Sequence, residues 1–249
     1  MNCGTCKEIS CDNIFKDVPT EELMRISRSK VSNRYQKGQN VNVQGNPVFG
    51  AYCICSGKLK LSTTCPETGK ETIFRICGPG DIIGFRALFA GELLQATITA
   101  LEPSEVCFFS REEIQRILTR HPEVLLQVAR KFGKMLGNAE KTIASLTQQS
   151  VKQRYALLLV SLHNSHGDSV ENKINLKLTR EEVASLIGTT SETVTRLTTE
   201  FKKDRLIDIR NKFYFILNKS KLASLSEGGM TVESTPPGFF SARTLEFFQ

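Results

Sequence analysis

The sequence contains no apolar stretch as long as a membrane-spanning helix requires, and its first residues, MNCGTCKEIS, lack the apolar core of a signal peptide. No Walker-type phosphate loop, Ser-His-Asp order or paired-carboxylate arrangement is apparent in it. The GPGDIIG segment lacks the G-x-G-x-x-G order, so we interpret it as a tight turn between strands. These absences predict a cytoplasmic protein that makes no membrane contact and is not an enzyme.

What is present is an ordinary globular composition with an excess of positive charge. Of 249 residues, 40% are hydrophobic and 24% are charged, which is enough for two packed domains or one large one. The formal net charge of +7 suits a polyanionic partner, although a solvated basic surface explains the same number. Because the cytoplasm keeps thiols reduced, the eight cysteines indicate metal ligation, redox sensing or core packing rather than structural disulfides.

The first half of the chain has the pattern of a small antiparallel β-roll. From about Tyr35 to Phe109, short alternating segments are separated by turn glycines every 8–12 residues. A short helix is predicted before them, from Pro19 to about Ser29. We therefore divide this part into an N-terminal cysteine arm, residues 1–18, and a roll, residues 19–120.

After Pro122 the apolar period changes from two to about three and a half, which predicts a long helix over residues 121–148. Its apolar positions are spaced alternately by three and four residues. Burial against the roll of the same chain explains part of this stripe, but pairing with the same helix of a second copy explains its length better. The sequence therefore predicts a homodimer. The predicted seam consists of Leu125, Val128, Phe132, Met135, Ala139, Ile143 and Leu146.

The third region, residues 149–225, contains a winged helix-turn-helix between about Thr179 and Leu217. Thr179 and Glu182 form a capping box at the start of one helix, and Thr190 is placed to cap the next. Ala184 and Gly188 are small where the two helices cross and turn. The segment LIDIRNKFYFIL then predicts a two-stranded wing.

Helical spacing turns Val194, Leu197 and Phe201 inward and leaves an outer face with the chemistry to read bases. In the major groove, Arg donates two hydrogen bonds to guanine and Glu accepts one from cytosine. The alternative interpretation is that Glu192 and Arg196 form a solvated ion pair with each other. Basic residues around the helix and the wing favour the interpretation that this region binds double-stranded DNA, because phosphate contacts require positive charge. The predicted base-reading residues are Ser191, Glu192, Thr195 and Arg196. The predicted backbone contacts are Thr179, Thr190, Thr199, Lys202, Lys203, Arg210 and Lys212.

The order of roll, long helix and winged helix-turn-helix resembles the Crp/Fnr family of bacterial transcription regulators. Residues 192–196, ETVTR, resemble the E-x-x-x-R motif of the family's recognition helix. This resemblance implies an α+β fold whose roll is similar to cyclic-nucleotide-binding domains. It also implies RNA polymerase as a partner, and that Glu192 and Arg196 read the C·G pair in each half of a TGA-containing palindrome. Thr195 stands where the Fnr-like branch usually has Ser.

The positions that hold a cyclic nucleotide in related proteins are changed here. Where those members have Gly-Glu and Arg-Ser pairs, this sequence has Gly84-Phe85 and Leu94-Gln95. No arginine is therefore available at this place to neutralise a phosphate inside the roll, and an unpaired buried phosphate is prohibitively costly. We expect no cyclic nucleotide.

The cysteines suggest another signal. Cys3, Cys6 and Cys11 lie close together before any predicted strand, and three thiolates are one short of a closed iron–sulfur or zinc site. The segments GDIIGF and ALEPSEVC, which ends at Cys107, resemble the oxygen-sensing Fnr branch. That resemblance implies a [4Fe–4S] cluster on Cys3, Cys6, Cys11 and Cys107, which oxygen or nitric oxide would attack. Four residues separate Cys6 from Cys11, where the branch commonly has five.

Other interpretations stay open from the residues alone. Zinc, a thiol redox switch or no cofactor would also account for the cysteines, and we expect one of Cys53 and Cys55, and Cys65 or Cys77, to be core packing. A redox-active iron–sulfur or thiol enzyme or carrier is the alternative of a different class, beside a regulator that senses another ligand. We expect His163 and His166 to be solvent-exposed and the tail, residues 226–249, to be disordered.

Overall fold

The structure is a computed structural model that describes residues 18–227, except Ser169. The predictions for Cys3, Cys6 and Cys11, and for the tail from residue 228 onward, therefore lie outside the described residues. Within the described part of the chain, we find no helix that is both long enough and apolar enough to span a bilayer.

The chain forms helices and strands in the predicted order, and the α+β fold is confirmed. The helices are α1 Thr20–Ser29, α2 Phe85–Ala90, α3 Arg111–Arg120, α4 Pro122–Gln148, α5 Val151–His166, α6 Arg180–Ile187, α7 Ser191–Lys203 and α8 Lys219–Glu227. The strands are β1 Val31–Tyr35, β2 Asn40–Asn42, β3 Gly50–Ser56, β4 Leu59–Thr64, β5 Glu71–Cys77, β6 Ile82–Ile83, β7 Thr97–Ala100, β8 Ser104–Ser110, β9 Gly167–Asp168, β10 Lys173–Ile174, β11 Ile207–Arg210 and β12 Phe213–Ile216.

Two four-stranded antiparallel sheets, β1-β8-β3-β6 and β2-β7-β4-β5, build the roll. Alternation along β3 sends Ile54 into the cluster between the sheets and Cys53 into the cluster on the side of α1, α3 and α4. Gly57, at the turn from β3 to β4, has a φ of +83°, and a Cβ there would lie 2.2 Å from Ser104 Oγ. Only glycine therefore fits this turn.

The long helix α4 has two apolar faces rather than one. Val124 and Val128 pack in the roll cluster, where Val128 is 2% exposed, and Met135 Sδ lies 3.4 Å from Arg75 Nη1. The placement of Val128 on an outward seam is therefore wrong, because the roll of the same chain covers it. A second face is exposed, and Leu125, Leu136, Ile143 and Leu146 lie on it.

Helices α5–α7 and the sheet β11-β12-β10-β9 enclose one apolar cluster in the C-terminal region. Thr179 Oγ1 accepts from the N–H of Glu182 and the Glu182 carboxylate accepts from the N–H of Thr179, so the predicted capping box is confirmed. Gly188 ends α6 with a φ of +66°, a left-handed conformation that suits glycine. Residues 226–227 of the predicted tail belong to α8.

The expectation for His163 is wrong, since only 7% of this residue is exposed at the end of α5. Burial lowers the pKa of the His163 imidazole and also that of the half-buried His166. Within the described residues neither ring nitrogen of His163 has a hydrogen-bond partner. The last turns of α5 therefore bury the His163 imidazole in its neutral form.

Candidate nucleic-acid interface and cysteine cluster

One face of α7 is buried and the opposite face carries the predicted base-reading residues. Val194, Leu197 and Phe201 are at most 3% exposed, as their helical spacing predicts. Ser191 is half-buried, whereas the other residues of the outer face are exposed. These are Glu192, Thr195, Arg196 and Thr199.

A buried polar network that sequence reasoning missed holds α7 in place. Arg180 Nη1 donates to Thr198 Oγ1 and to Tyr214 Oη, each at 2.8 Å, and Tyr155 Oη lies 2.8 Å from Thr198 Oγ1. Burial raises the pKa of the Tyr155 hydroxyl, which keeps it neutral. The network joins α5, α6, α7 and β12. Its only sequence signal is Thr198, a polar residue on the otherwise apolar side of α7.

Glu192 lies in the first turn of α7. A hydrogen bond from its own backbone N–H, with help from Thr190 and Ser191, lowers the pKa of its carboxyl, so the side chain is ionised at neutral pH. The ion pairs of the described residues include none between Glu192 and Arg196. Both side chains point outward one helical turn apart, which is the arrangement needed to contact neighbouring base edges.

Basic side chains lie at the end of α7 and on the wing, the β11–β12 hairpin. Asp208 accepts from Arg210 Nε at 2.8 Å and lies 3.4 Å from Lys202 Nζ. The hydrogen bond from Arg210 is the main reason that the pKa of Asp208 is lowered. Lys203 and Lys212 are exposed, the latter at the hairpin turn. The arrangement places positive charge at the C-terminal end of α7 and on the wing, where phosphate contacts require it.

Two of the three threonines predicted to contact the DNA backbone, Thr179 and Thr190, also cap helices. Thr179 Oγ1 accepts from Glu182 N–H at 3.1 Å, and Thr190 Oγ1 accepts from Thr193 N–H at 3.4 Å. Both residues are exposed, and a hydroxyl that accepts one hydrogen bond keeps a donor for a phosphate oxygen.

Cysteines meet on the helix-covered side of the roll. Cys107 on β8 is 0% exposed and lies directly across from Cys53 on β3. Cys55 Sγ lies 2.9 Å from Cys107 Sγ. Val18, where the described chain begins, packs in the same apolar cluster. The buried thiols of Cys53 and Cys107 and the first described residue therefore belong to one apolar cluster.

The other two roll cysteines have different surroundings. Cys77 is buried, and burial raises the pKa of its thiol to about 12, as expected for core packing. Cys65 is half-buried at a turn and lies 2.9 Å from Glu67 Oε2. Between residues 18 and 227, apart from Ser169, no three His, Cys, Asp or Glu side chains are grouped to hold a metal ion.

The positions that correspond to a cyclic-nucleotide site are apolar. Phe85 is 8% exposed and Leu94 is 5% exposed, and both side chains pack in the apolar cluster on the helix-covered side of the roll. The neighbouring Arg86 points outward, where its Nη1 lies 2.8 Å from Glu92 Oε2.

A β-roll joined by a long helix to a winged helix-turn-helix defines a class of transcription regulators in which both domains belong to the same polypeptide. Residues 32–121 match the model of the cyclic nucleotide-binding domain, and residues 153–225 match that of the Crp-like helix-turn-helix domain. The chain belongs to the Crp/Fnr family; it is a DNA-binding transcription regulator and not an enzyme.

Named relatives fall in more than one branch of that family. The chain is 29% identical over 201 residues to the fumarate and nitrate reduction regulatory protein of Vibrio cholerae, covering 80% of this chain and 79% of the relative. It is 25% identical over 212 residues to a CRP-like cAMP-activated global transcriptional regulator of Mycobacterium tuberculosis, covering 84% of this chain and 94% of the relative. Among solved structures, a CooA mutant from Carboxydothermus hydrogenoformans matches with a TM-score of 0.72 and 23% identity, over 88% of this chain and 98% of that one.

Proposed function

We propose that the protein binds a TGA-containing palindrome as a homodimer, and that a [4Fe–4S] cluster on Cys3, Cys6, Cys11 and Cys107 controls this binding. The observation that carries the DNA part is the outer face of α7, where exposed Glu192 and Arg196 lie one turn apart and basic residues follow at the end of the helix and on the wing. RNA polymerase as a partner rests on family resemblance.

The geometry of α7 supports base reading by Glu192 and Arg196. The buried Arg180–Thr198–Tyr214 network fixes the helix against the wing, so its outer side chains are presented at a defined angle. The ionised Glu192 accepts a hydrogen bond from cytosine, and Arg196 donates two to guanine. The end of α7 then holds the neighbouring phosphates through Lys202 and Lys203, and the wing does so through Arg210 and Lys212.

The second apolar face of α4 supports the homodimer. Leu125, Leu136, Ile143 and Leu146 are between 48% and 63% exposed in the single chain. Together with Ala129, Phe132 and Ala139 they follow an alternating four–three spacing, which is the heptad pattern of a paired helix. This seam replaces Val128 and Met135 of the sequence prediction by Ala129 and Leu136. Paired through it, two copies read half-sites one turn of DNA apart, ~34 Å.

The cysteine chemistry supports the cluster. Cys107 lies in the same apolar cluster as Val18, and Val18 lies seven positions after Cys11, a span of up to ~25 Å. Cys3, Cys6 and Cys11 can therefore approach Cys107 from the N-terminal side, and four thiolates are the usual ligand set. A [4Fe–4S] cluster held there would link the N-terminal arm, residues 1–18, to the roll, and oxidation of the cluster would break that link. The apolar Phe85 and Leu94 support a sensor that takes no cyclic nucleotide.

DNA reading is tested by the affinity of Arg196→Ala for a TGA-palindromic duplex and for a scrambled duplex. We expect the affinity ratio between the two duplexes to fall at least about tenfold, because a bidentate contact contributes ~1–3 kcal/mol of discrimination. Arg28→Ala, an exposed arginine on α1, is the matched control and should keep the ratio. An unchanged ratio for Arg196→Ala would overturn the base-reading role.

Cluster binding is tested by anaerobic purification followed by iron and sulfide analysis. We expect a brown protein that bleaches in air, and loss of the iron in Cys107→Ser. Cys65→Ser is the matched control, because Cys65 lies on a turn at the roll surface. Colourless, iron-free wild-type protein would overturn the proposed cluster and would not affect the proposed DNA binding.

A further inference from the structure

We infer that Cys55 and Cys107 are a redox-active pair that a hydroperoxide converts into a disulfide inside the roll. Their sulfur atoms lie 2.9 Å apart, which is closer than two sulfurs in ordinary van der Waals contact. A disulfide bond is ~2.05 Å long, so the two atoms need to approach by less than about 1 Å. This inference depends on the roll alone and holds whether or not the protein carries a cluster.

An irregularity in the sheet brings these two thiols together. Cys107 is directly opposite Cys53, and a residue two places further along a regular strand would be too distant for easy bridging. The pairing of β3 with β8 shifts between Ile54 and Ser56, so Cys55 is the extra residue of a β-bulge. A bulge re-aims the side chain of its extra residue. Here it turns the Cys55 thiol back toward Cys107.

The unequal burial of the two thiols sets the order of the chemistry. Cys55 is half-buried and Cys107 is 0% exposed, so a small oxidant in solution reaches Cys55 first. The Cys55 thiolate attacks one oxygen of hydrogen peroxide, which breaks the O–O bond and leaves a sulfenic acid and hydroxide. The Cys107 sulfur then attacks the Cys55 sulfur, forming the S–S bond and releasing the sulfenic oxygen as water. In sum, two thiols and one peroxide give one disulfide and two waters.

The disulfide has a consequence for the proposed sensor. Cys107 is the only ligand that the roll contributes to the proposed cluster, so a Cys55–Cys107 bond and a complete ligand set exclude one another. That consequence rests on the proposed function, whereas formation of the disulfide does not. Iron-free protein after anaerobic purification would therefore refute the cluster and leave the pair untouched.

The test is peptide mapping of the full-length, iron-free protein after reduction, desalting and exposure to stoichiometric hydrogen peroxide. Trypsin places Cys55 in the peptide 38–58 and Cys107 in the peptide 87–111; of the other cysteines, only Cys53 falls in either of these two peptides. We expect the main cross-linked species to join 38–58 to 87–111 and to disappear on treatment with a thiol reductant.

Two matched variants identify the partner, because Cys53 and Cys55 share one tryptic peptide. Cys53→Ala should keep the cross-link and Cys55→Ala should lose it. Three results would overturn the inference: no link to 87–111, survival of the link in Cys55→Ala, or a main link from 87–111 to the N-terminal peptides 1–7 or 8–16. Retained far-ultraviolet circular dichroism shows that each variant is folded, so loss of the link then reports on chemistry.

Discussion

At the scale of single residues, the wing turn shows how a side chain required for binding imposes a conformational cost. Asn211 and Lys212 connect β11 to β12 with φ values of 50° and 67°. Two successive positive φ values are the pattern of a type I′ turn, where Asn-Gly is the preferred pair. Lysine in the left-handed region costs roughly 1–2 kcal/mol, a cost that glycine avoids.

We therefore predict opposite effects of Lys212→Gly on stability and on DNA binding. The free energy of unfolding should rise by about 1 kcal/mol, because the strain is relieved. The affinity for DNA should fall by the same factor for specific and nonspecific duplexes. The slope of log affinity against log salt concentration should become shallower by about one unit for each phosphate contact that is lost. Chemical denaturation and binding titrations at several salt concentrations measure the two effects.

Lys212→Gln separates charge from strain. It removes the positive charge and keeps a side chain at the same φ, so it should weaken DNA binding without stabilising the fold. If Lys212→Gly and wild type bound DNA with the same salt dependence, Lys212 would not be a phosphate contact.

His163 gives a prediction about pH. Burial is the main reason that its pKa lies below the ordinary value of 6.5, and the nearby Lys219 adds to the effect. Below about pH 6.5 the unfolded chain then binds more protons than the folded one, so stability decreases as the pH falls. We expect His163→Leu to reduce the loss of Tm between about pH 7.5 and 5.5. A remainder should persist, because burial also lowers the pKa of His166.

Two variants check the assignment of that pH effect. His166→Gln should reduce the loss independently of His163→Leu, and the double variant should reduce it further. An unaltered pH dependence in His163→Leu would show that the imidazole titrates alike in the folded and unfolded chains.

At the scale of elements, the sequence predicts the existence of α4 but not the role of each of its sides. Periodicity finds a helix because apolar residues recur every three or four positions. It cannot say which apolar residues meet the roll, since that depends on contacts with strands distant in sequence. Periodicity alone therefore puts Val128 on the outward seam, whereas the structure places it in the roll cluster.

The corrected seam makes the dimer testable with two neighbouring positions. Ile143→Glu should raise the dimer dissociation constant at least about tenfold, because each copy would bury an unpaired carboxylate. Ala144→Glu adds the same charge one residue away, on a side of α4 outside the seam, and should leave the dimer intact. Sedimentation equilibrium measures both constants. Equal values for the two variants would mean that this face of α4 is not the interface.

The helix-turn-helix was more predictable than the cysteine site, for a physical reason. Its capping box, turn glycine and inward face are local signals within a few residues of one another, and the structure confirms each. The pairing of Cys55 with Cys107 depends on a β-bulge and on strand register across 52 residues. No local pattern encodes that register. The Arg180 network likewise joins four elements that only the tertiary fold brings together.

At the scale of the whole molecule, the roll and the DNA-binding domain are docked against each other. Ser185 on α6 lies at the outer edge of β5, where its Oγ accepts from Ile73 N–H at 2.7 Å and donates to Glu71 C=O at 2.9 Å. Lys60 Nζ is 3.6 Å from Glu182 Oε1, and Ile76 packs on the apolar cluster of the DNA-binding domain. A single hydroxyl thus satisfies two backbone groups of an edge strand while it fixes the orientation of α6.

This contact predicts that Ser185→Ala loosens the two domains without unfolding either. Losing both hydrogen bonds should cost ~1–3 kcal/mol of docking free energy, because two backbone groups lose their partner. Amide exchange in residues 71–75 should accelerate at least about fivefold, since protection there depends on the closed state. Ser165→Ala removes a hydroxyl that bonds only within α5 and should leave that exchange unchanged. If residues 71–75 exchanged at the wild-type rate in Ser185→Ala, the roll would hold its edge strand without help from α6, and the orientation of the recognition helix would have to be set elsewhere.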